Sequence, residues 1–116
     1  MSLKAYQNAQ QIAEDPRQIE YRLFGQVTGA LMKVSRDNAK GRELIETLDW
    51  NRRIWQAMSG DCQDDHNRLP APIRAKIISL ALWVARYTRK VVRQHAPIEP
   101  LIQVNRSIMQ GLEDRG

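Results

Sequence analysis

The residues of this sequence that could bind a metal ion or act as a nucleophile are concentrated at residues 61–66, which hold the only cysteine, a histidine and three aspartates. Cys62 and His66 could bind zinc together with one or two of these carboxylates. A structural zinc site usually takes four ligands from paired Cys or His residues, however, and no second pair occurs. Nucleophilic catalysis by Cys62 would need an oriented base within reach, and nothing is placed to orient His66. We therefore expect no metal site, no cofactor and no enzyme, with Cys62 turned inward as a small hydrophobic residue.

A second candidate site is a tryptophan- and arginine-rich stretch, residues 50–55, which holds Trp50, Arg52, Arg53 and Trp55. Trp and Arg are the residue types that dominate the binding energy of protein interfaces. Two residues five positions apart lie about 140° apart around a helix, so one buried stripe cannot cover both rings equally. Either this stretch is a protein-binding surface, or both rings pack at the edges of a bundle while Arg52 and Arg53 are solvated.

Gly25 and Gly29 stand four residues apart in a segment with helical spacing of apolar residues. Each glycine weakens a helix by up to about 1 kcal/mol relative to alanine. One interpretation is a close contact between two helices at a point without side chains. The other is that the pair forms the floor of a groove, or a hinge.

A basic face is formed by Arg86, Arg89, Lys90 and Arg93, which recur at helical spacing in a region, residues 67–98, that has no acidic residue. Such a face could contact the phosphates of a nucleic acid. The alternative is a solvated helix face whose cations complement the dipole of the helix C-terminus and pair with carboxylates of neighbouring helices. No helix-turn-helix or RNA-binding aromatic motif accompanies the cations.

Apolar residues recur every three or four positions, and no alternating strand pattern of useful length appears, so the sequence predicts an all-α fold. Because the linkers are short, consecutive helices should pack side by side. We predict a single domain, residues 1–116, built as a bundle of four main helices plus a short N-terminal helix. The predicted helices cover residues 3–13, residues 16 to about 34, residues 42 to about 58 with a stop at Gly60, residues 72–94 and residues 100 to about 112.

The longest apolar run is residues 77–85, inside the fourth of these helices. A helix that is hydrophobic on every side is buried in a bundle or in a membrane. The run of nine residues is too short to span a bilayer, which needs roughly 20. We therefore predict that this helix is central, with a buried middle, and that Leu80→Asp unfolds the domain.

Length and charge narrow the class of protein further. A chain of 116 residues is long enough for one proper core. The N-terminus lacks the apolar region of a signal peptide, and a single cysteine fits a reducing compartment, so we expect a cytoplasmic protein without membrane insertion. A net charge of +5 permits an acidic partner without identifying one.

Several blocks of residues, in order along nearly the whole chain, resemble the FlaF family of flagellar proteins. They are AYQ (5–7), EYRLF (20–24), VT (27–28), LDWNRR (48–53) with Trp55, DC (61–62), NRLP (67–70), RAKIISL (74–80), WVARYT (83–88) and NRSIMQGL (105–112).

The resemblance implies a cytoplasmic, non-enzymatic protein of alphaproteobacterial flagellar assembly. Members of the family act positively on flagellin production and secretion, and they are thought to bind flagellin as chaperones, working against the FlbT regulator of flagellin translation. As a mechanism we consider an apolar groove that buries a terminal helix of flagellin until export. Trp50 and Trp55, or the face around Gly25 and Gly29, would supply that groove, with Arg52 and Arg53 at its rim.

Two alternatives to a flagellin chaperone remain open. The protein could be a post-transcriptional regulator that binds flagellin messenger RNA, directly or together with FlbT, through the basic face. It could also be a structural subunit of a larger helical complex.

Overall fold

The computed structural model describes the backbone of residues 16–115 and the side chains of residues 21–111. Over this range the chain forms four α-helices and no strand, which confirms the predicted all-α class. The helices are α1 (Pro16–Arg36), α2 (Arg42–Gln63), α3 (Ala71–Gln94) and α4 (Glu99–Arg115). The short helix predicted over residues 3–13 lies outside the described residues.

The turn between α1 and α2 is where the sequence predicted it. Asn38 and Gly41 both have positive φ, 52° and 66°, a backbone conformation that Asn tolerates better than most residues and that Gly adopts freely. The start of α3 also agrees with the prediction within one residue, since Pro72 occupies its first turn, where a missing N–H costs no hydrogen bond.

Two predicted helix ends are wrong. Gly60 does not stop α2, which continues through Gln63. The extra turn buries Cys62 in the core, and this burial outweighs the weak helix propensity of a single glycine. Similarly, α4 does not end at residue 112 but continues past Gly111 to Arg115.

The packing order of the helices corrects the predicted central position of α3. Helix α1 packs along both α2 and α4, and α2 packs along both α1 and α3. Helix α3 is therefore an outer helix, which α2 covers mainly on one side. Its buried positions form one stripe, whereas Leu82 is 60% exposed and Leu80 is only half-buried. The stripe consists of Ile77, Ala81, Val84, Thr88 and Val91.

The core is centred where α1, α2 and α4 meet. Phe24 of α1 and Trp55 of α2 are both fully buried, and their rings meet edge to face with centroids 5.2 Å apart and planes at 76°. Such aromatic pairs contribute about 0.5–1.5 kcal/mol beyond the burial of their area. The other large, fully buried hydrophobic side chains are Leu31, Leu48, Ile77 and Leu101.

Within the described part of the chain, none of the four helices combines the length and the apolarity required to cross a lipid bilayer.

Candidate protein-binding site

The two tryptophans of α2 lie in different environments, as their angular separation predicts. Trp50 is 38% exposed, whereas Trp55 is completely buried beside Phe24. Trp55 is therefore a core residue and offers no surface to a partner in this structure. Trp50 remains a candidate contact because an exposed indole ring is a large apolar area at little entropic cost.

Arg52 and Arg53 both bind Asp49, one turn earlier in α2. The Nη2 atom of Arg52 lies 2.7 Å from Oδ1 of Asp49, and Nε of Arg53 lies 2.8 Å from Oδ2. The hydrogen bond from Arg52, helped by the charge of Arg53, lowers the pKa of the Asp49 carboxyl. Both arginines thus have a carboxylate partner already, and an acidic residue of a binding protein would have to compete with Asp49.

A buried polar network joins three helices next to Trp55. The indole N–H of Trp55 donates to Oδ1 of Asn105 at 2.9 Å. The side-chain N–H₂ of Asn105 donates to Oδ1 of Asn51 at 2.8 Å and to the hydroxyl of Thr28 at 3.2 Å. Asn51 and Asn105 are completely buried, so these bonds hold α1, α2 and α4 together inside the core.

One atom of this network has no partner: Nδ2 of Asn51 is buried without a hydrogen bond among the described residues. A buried amide N–H without an acceptor costs about 1–3 kcal/mol. A signal for the network was present in the sequence, because Asn51 and Asn105 interrupt apolar stripes at helical spacing. Asn51 stands three residues after Leu48, and Asn105 four after Leu101.

Gly25 and Gly29 lie on the flank of α1 that adjoins α4. A Cβ atom on Gly25 would be 3.8 Å from the terminal methyl of Met109, an ordinary contact, and a Cβ atom on Gly29 would meet nothing within 4 Å. The close helix contact considered for this pair is therefore absent at Gly29. Gly29 is exposed, and the space beside it is open.

A cleft of about 370 Å³ between α1 and α4 continues this flank. Met32 and Arg36 follow Gly29 at intervals of three and four residues, so the three positions form one line along α1. Met32 is 38% exposed and Ile102 supplies buried apolar surface. The cleft is lined by Met32, Ser35, Arg36, Glu99, Ile102, Gln103 and Arg106.

Charged side chains occupy the rim of this cleft. The hydroxyl of Ser35 donates to Oε1 of Glu99 at 2.9 Å, and Nη2 of Arg106 lies 3.5 Å from the sulfur of Met32. A hydrogen bond from the backbone N–H of Glu99 itself, followed by the bond from Ser35, lowers the pKa of the Glu99 carboxyl. The cleft therefore has an apolar floor and a rim that carries two arginines and one carboxylate. This arrangement suits an amphipathic segment better than a small apolar molecule.

The basic face predicted for α3 exists. Arg86, Arg89, Lys90 and Arg93 are all exposed, and none of them has an ion pair among residues 21–111. The pairing with acidic side chains that we considered is thus absent within that range. Within residues 21–111, the four cations thus face solvent without a carboxylate partner.

Cys62 and His66 lie in different environments and do not form a common site. Cys62 is buried in the core, as expected, while His66 is exposed in the loop after α2. In the described part of the chain, no group of three or more His, Cys, Asp or Glu residues is arranged to hold a metal ion.

Comparison with known proteins gives one match. The model of a family described as flagellar protein FlaF matches residues 2–112, nearly the whole chain. No curated protein and no solved structure matches.

Proposed function

Since the chain belongs to the FlaF family of flagellar proteins, we propose that it is a cytoplasmic, non-enzymatic chaperone that binds flagellin before secretion. In this role it acts positively on flagellin synthesis and secretion, working against the FlbT regulator. The ligand is a terminal amphipathic helix of flagellin, which packs only in the assembled filament.

The observation that supports the proposal is the cleft between α1 and α4. A helix can approach a groove closely only where side chains do not block it, and Gly29 leaves open space along the line that leads to Met32. The apolar face of the incoming helix would lie on Met32 and Ile102. This is the helix-in-groove mode of recognition, in which apolar residues one turn apart are the anchors.

Methionine side chains adapt to the shape of a ligand, because they are unbranched and polarisable. Met32 and Met109 lie at the two sides of the glycine flank, Met32 on α1 and Met109 on α4. Such a lining would accept helices that differ in detail. Arg36 and Arg106 at the rim would orient the helix through its charged face, with more effect on association rate than on affinity.

Trp50 is a second contact in the proposal, while Trp55 is excluded by its complete burial. Arg52 and Arg53 are neutralised in part by Asp49, so we assign them a smaller role than the cleft.

The test compares two glycines in calorimetric titrations against monomeric flagellin. Gly29→Leu places a side chain in the open flank of the cleft, whereas Gly60→Leu adds the same side chain at an open, exposed position of α2. We expect Gly29→Leu to weaken binding about tenfold or more, as loss of a central anchor does, and Gly60→Leu to bind like the parent. Circular dichroism checks that both variants fold.

Two results would count against the proposal in different ways. If the parent protein did not bind flagellin at all, direct chaperoning would be wrong. If the parent bound but Gly29→Leu bound equally well, the ligand would lie elsewhere, and Trp50→Ala would then decide whether α2 is the contact.

A further inference from the structure

The side of α3 that faces away from α2 forms a continuous exposed seam, defined here as residues 75, 79, 82, 86, 89 and 93. All six are exposed, and they follow one another at intervals of four and three residues. This is the spacing of the line along which one straight helix contacts another. Because α3 is 24 residues long, the seam extends over most of a rod of about 36 Å.

The two halves of the seam differ in chemistry. The N-terminal half consists of Ala75, Ser79 and Leu82, and Leu82 is the most exposed large hydrophobic residue of the described chain at 60%. Half-buried Ile78 adds apolar area beside it. An exposed leucine that follows two small residues is a shallow apolar surface that another helix could cover.

The C-terminal half of the seam carries Arg86, Arg89 and Arg93, with Lys90 beside them, and Val92 is 43% exposed on its edge. The ion pairs formed by residues 21–111 all belong to α1, α2 and the turn between them. No carboxylate is available within α3, because residues 67–98 contain neither Asp nor Glu. Among residues 21–111, the cations of this half therefore have no counter-charge, and a partner could provide one.

We propose that the seam docks an acidic amphipathic helix of another protein. Its apolar residues would cover Leu82, and its Asp or Glu residues would lie against Arg86, Arg89 and Arg93. The complementary charges would select the partner and fix its direction along α3, while the apolar half would supply contact area.

A nucleic acid fits these observations less well. Phosphate contacts use the cations but leave Leu82 without a role. The neighbouring aromatic rings are also occupied, since Trp83 and Tyr87 stack on each other at 4.9 Å and the Tyr87 hydroxyl donates to the carbonyl of Pro97 at 2.6 Å. A second copy of α3 fits less well too, because pairing of two such seams supplies no carboxylate.

The seam is separate from the proposed flagellin cleft, because no residue of α3 lines that cleft. The protein could therefore hold an acidic helix on α3 while a flagellin helix occupies α1 and α4. A negative result for flagellin binding would not bear on the acidic helix, and the reverse also holds, so the two proposals are tested independently.

The experiment uses fluorescence anisotropy with three labelled probes and the full-length chain. The first probe is a synthetic helical peptide of about three heptads. The face that would contact the seam carries Leu in one half of the peptide and Glu in the other half. The second has Lys in place of every Glu, and the third is single-stranded poly(U) RNA. We expect binding of the Glu peptide and no measurable binding of the Lys peptide.

Three variants locate the contact. Leu82→Ser should weaken binding of the Glu peptide about tenfold or more. The double variant Arg86→Glu with Arg89→Glu should abolish that binding and gain binding of the Lys peptide. Arg42→Glu changes another exposed arginine, at the start of α2 and outside the seam, and should bind the Glu peptide like the parent. Circular dichroism and thermal unfolding show whether each variant is folded like the parent.

Three outcomes would overturn the proposal. Absence of Glu-peptide binding would show that the seam does not recognise an acidic helix. Binding of RNA that is lost in the arginine double variant, without peptide binding, would assign the face to nucleic acid. Equal binding by Leu82→Ser and the parent would show that the apolar half is not a contact.

Discussion

The indole N–H of Trp55 donates to Oδ1 of Asn105 at 2.9 Å, and this bond determines which way the Asn105 amide lies. Because an indole nitrogen can only donate, the oxygen of Asn105 must face it. The N–H₂ group then points to Asn51 and Thr28, so Asn51 must present its oxygen, and its own N–H₂ group has no acceptor among the described residues. One tryptophan therefore orients the amides of two asparagines.

This geometry predicts unequal effects for two matched substitutions. Asn105→Leu removes the acceptor of the buried Trp55 N–H and the donor to Oδ1 of Asn51, while Thr28 keeps its bond to the sulfur of Met109. It should therefore lower the free energy of unfolding by about 3 kcal/mol or more. Asn51→Leu removes one bond but also removes an unpartnered donor, and it should cost about 1 kcal/mol or less. Urea denaturation measures both values; equal costs would contradict this account of the network.

The glycines predict three stability changes of different sign. Gly29→Ala and Gly60→Ala should each stabilise the fold by up to about 1 kcal/mol, because both residues are helical and a Cβ atom meets nothing within 4 Å. Gly41→Ala should destabilise it by about 1 kcal/mol, because Gly41 has a φ of 66°. Thermal unfolding of the three variants is the measurement, and a stabilised Gly41→Ala would contradict the backbone geometry.

The position of α3 predicts a graded response to aspartate along the apolar run. Val84→Asp should unfold the protein, because Val84 is fully buried and an unpaired charge there is costly. Leu82→Asp should change the free energy of unfolding by only about 0.5 kcal/mol, since this side chain is largely exposed. Leu80 is half-buried, so Leu80→Asp should lower the free energy of unfolding by an amount between those of the other two variants. Circular dichroism during urea titration gives the ranking.

The ion pairs of Asp49 predict a pH dependence with a definite sign. Because the pKa of Asp49 is lowered in the folded protein, its pairs contribute stability above the ordinary pKa of an aspartate. That contribution is lost as the pH falls through the lowered value. The contribution should be small, because the pairs are partly solvated. In an NMR titration of the carboxyl carbon, Arg52→Gln should raise the pKa of Asp49 more than Arg53→Gln does, and the reverse order would contradict the dominant role of Arg52.

Much of the fold could be predicted from the sequence, because it depends on local signals. Pro72 in the first turn of α3 and the turn residues around Gly41 act within a few residues, and these boundaries were predicted well. Gly60 shows the limit of such signals. A helix continues past a glycine where the residues that follow become buried and so stabilise the extra turn. Here that residue is Cys62, whose burial depends on helices that are distant in sequence.

The candidate site could be predicted only in part. The unequal burial of Trp50 and Trp55 follows from helix geometry, because Trp55 shares the apolar face of Leu48 and Met58 and Trp50 does not. The groove at Gly29 required knowledge of the neighbouring helix. The amide network was missed because its members are 77 and 54 residues apart along the chain.

The ion pairs among residues 21–111 also have a consequence for measurements at different ionic strengths. Each pair joins residues that are one, three or four positions apart, so none of them links one helix to another. Two contacts between α1 and α4 involve a charged group, the hydrogen bond from Ser35 to the Glu99 carboxylate and the contact of Arg106 with Met32. The other contacts between helices in this range are apolar or neutral hydrogen bonds, which dissolved salt does not screen strongly. Added sodium chloride should therefore leave the assembled bundle nearly unchanged while it weakens contacts made by the exposed cations of α3. A partner that dissociates as ionic strength rises then does so because its contacts with exposed charged side chains weaken, and not because the protein itself has unfolded.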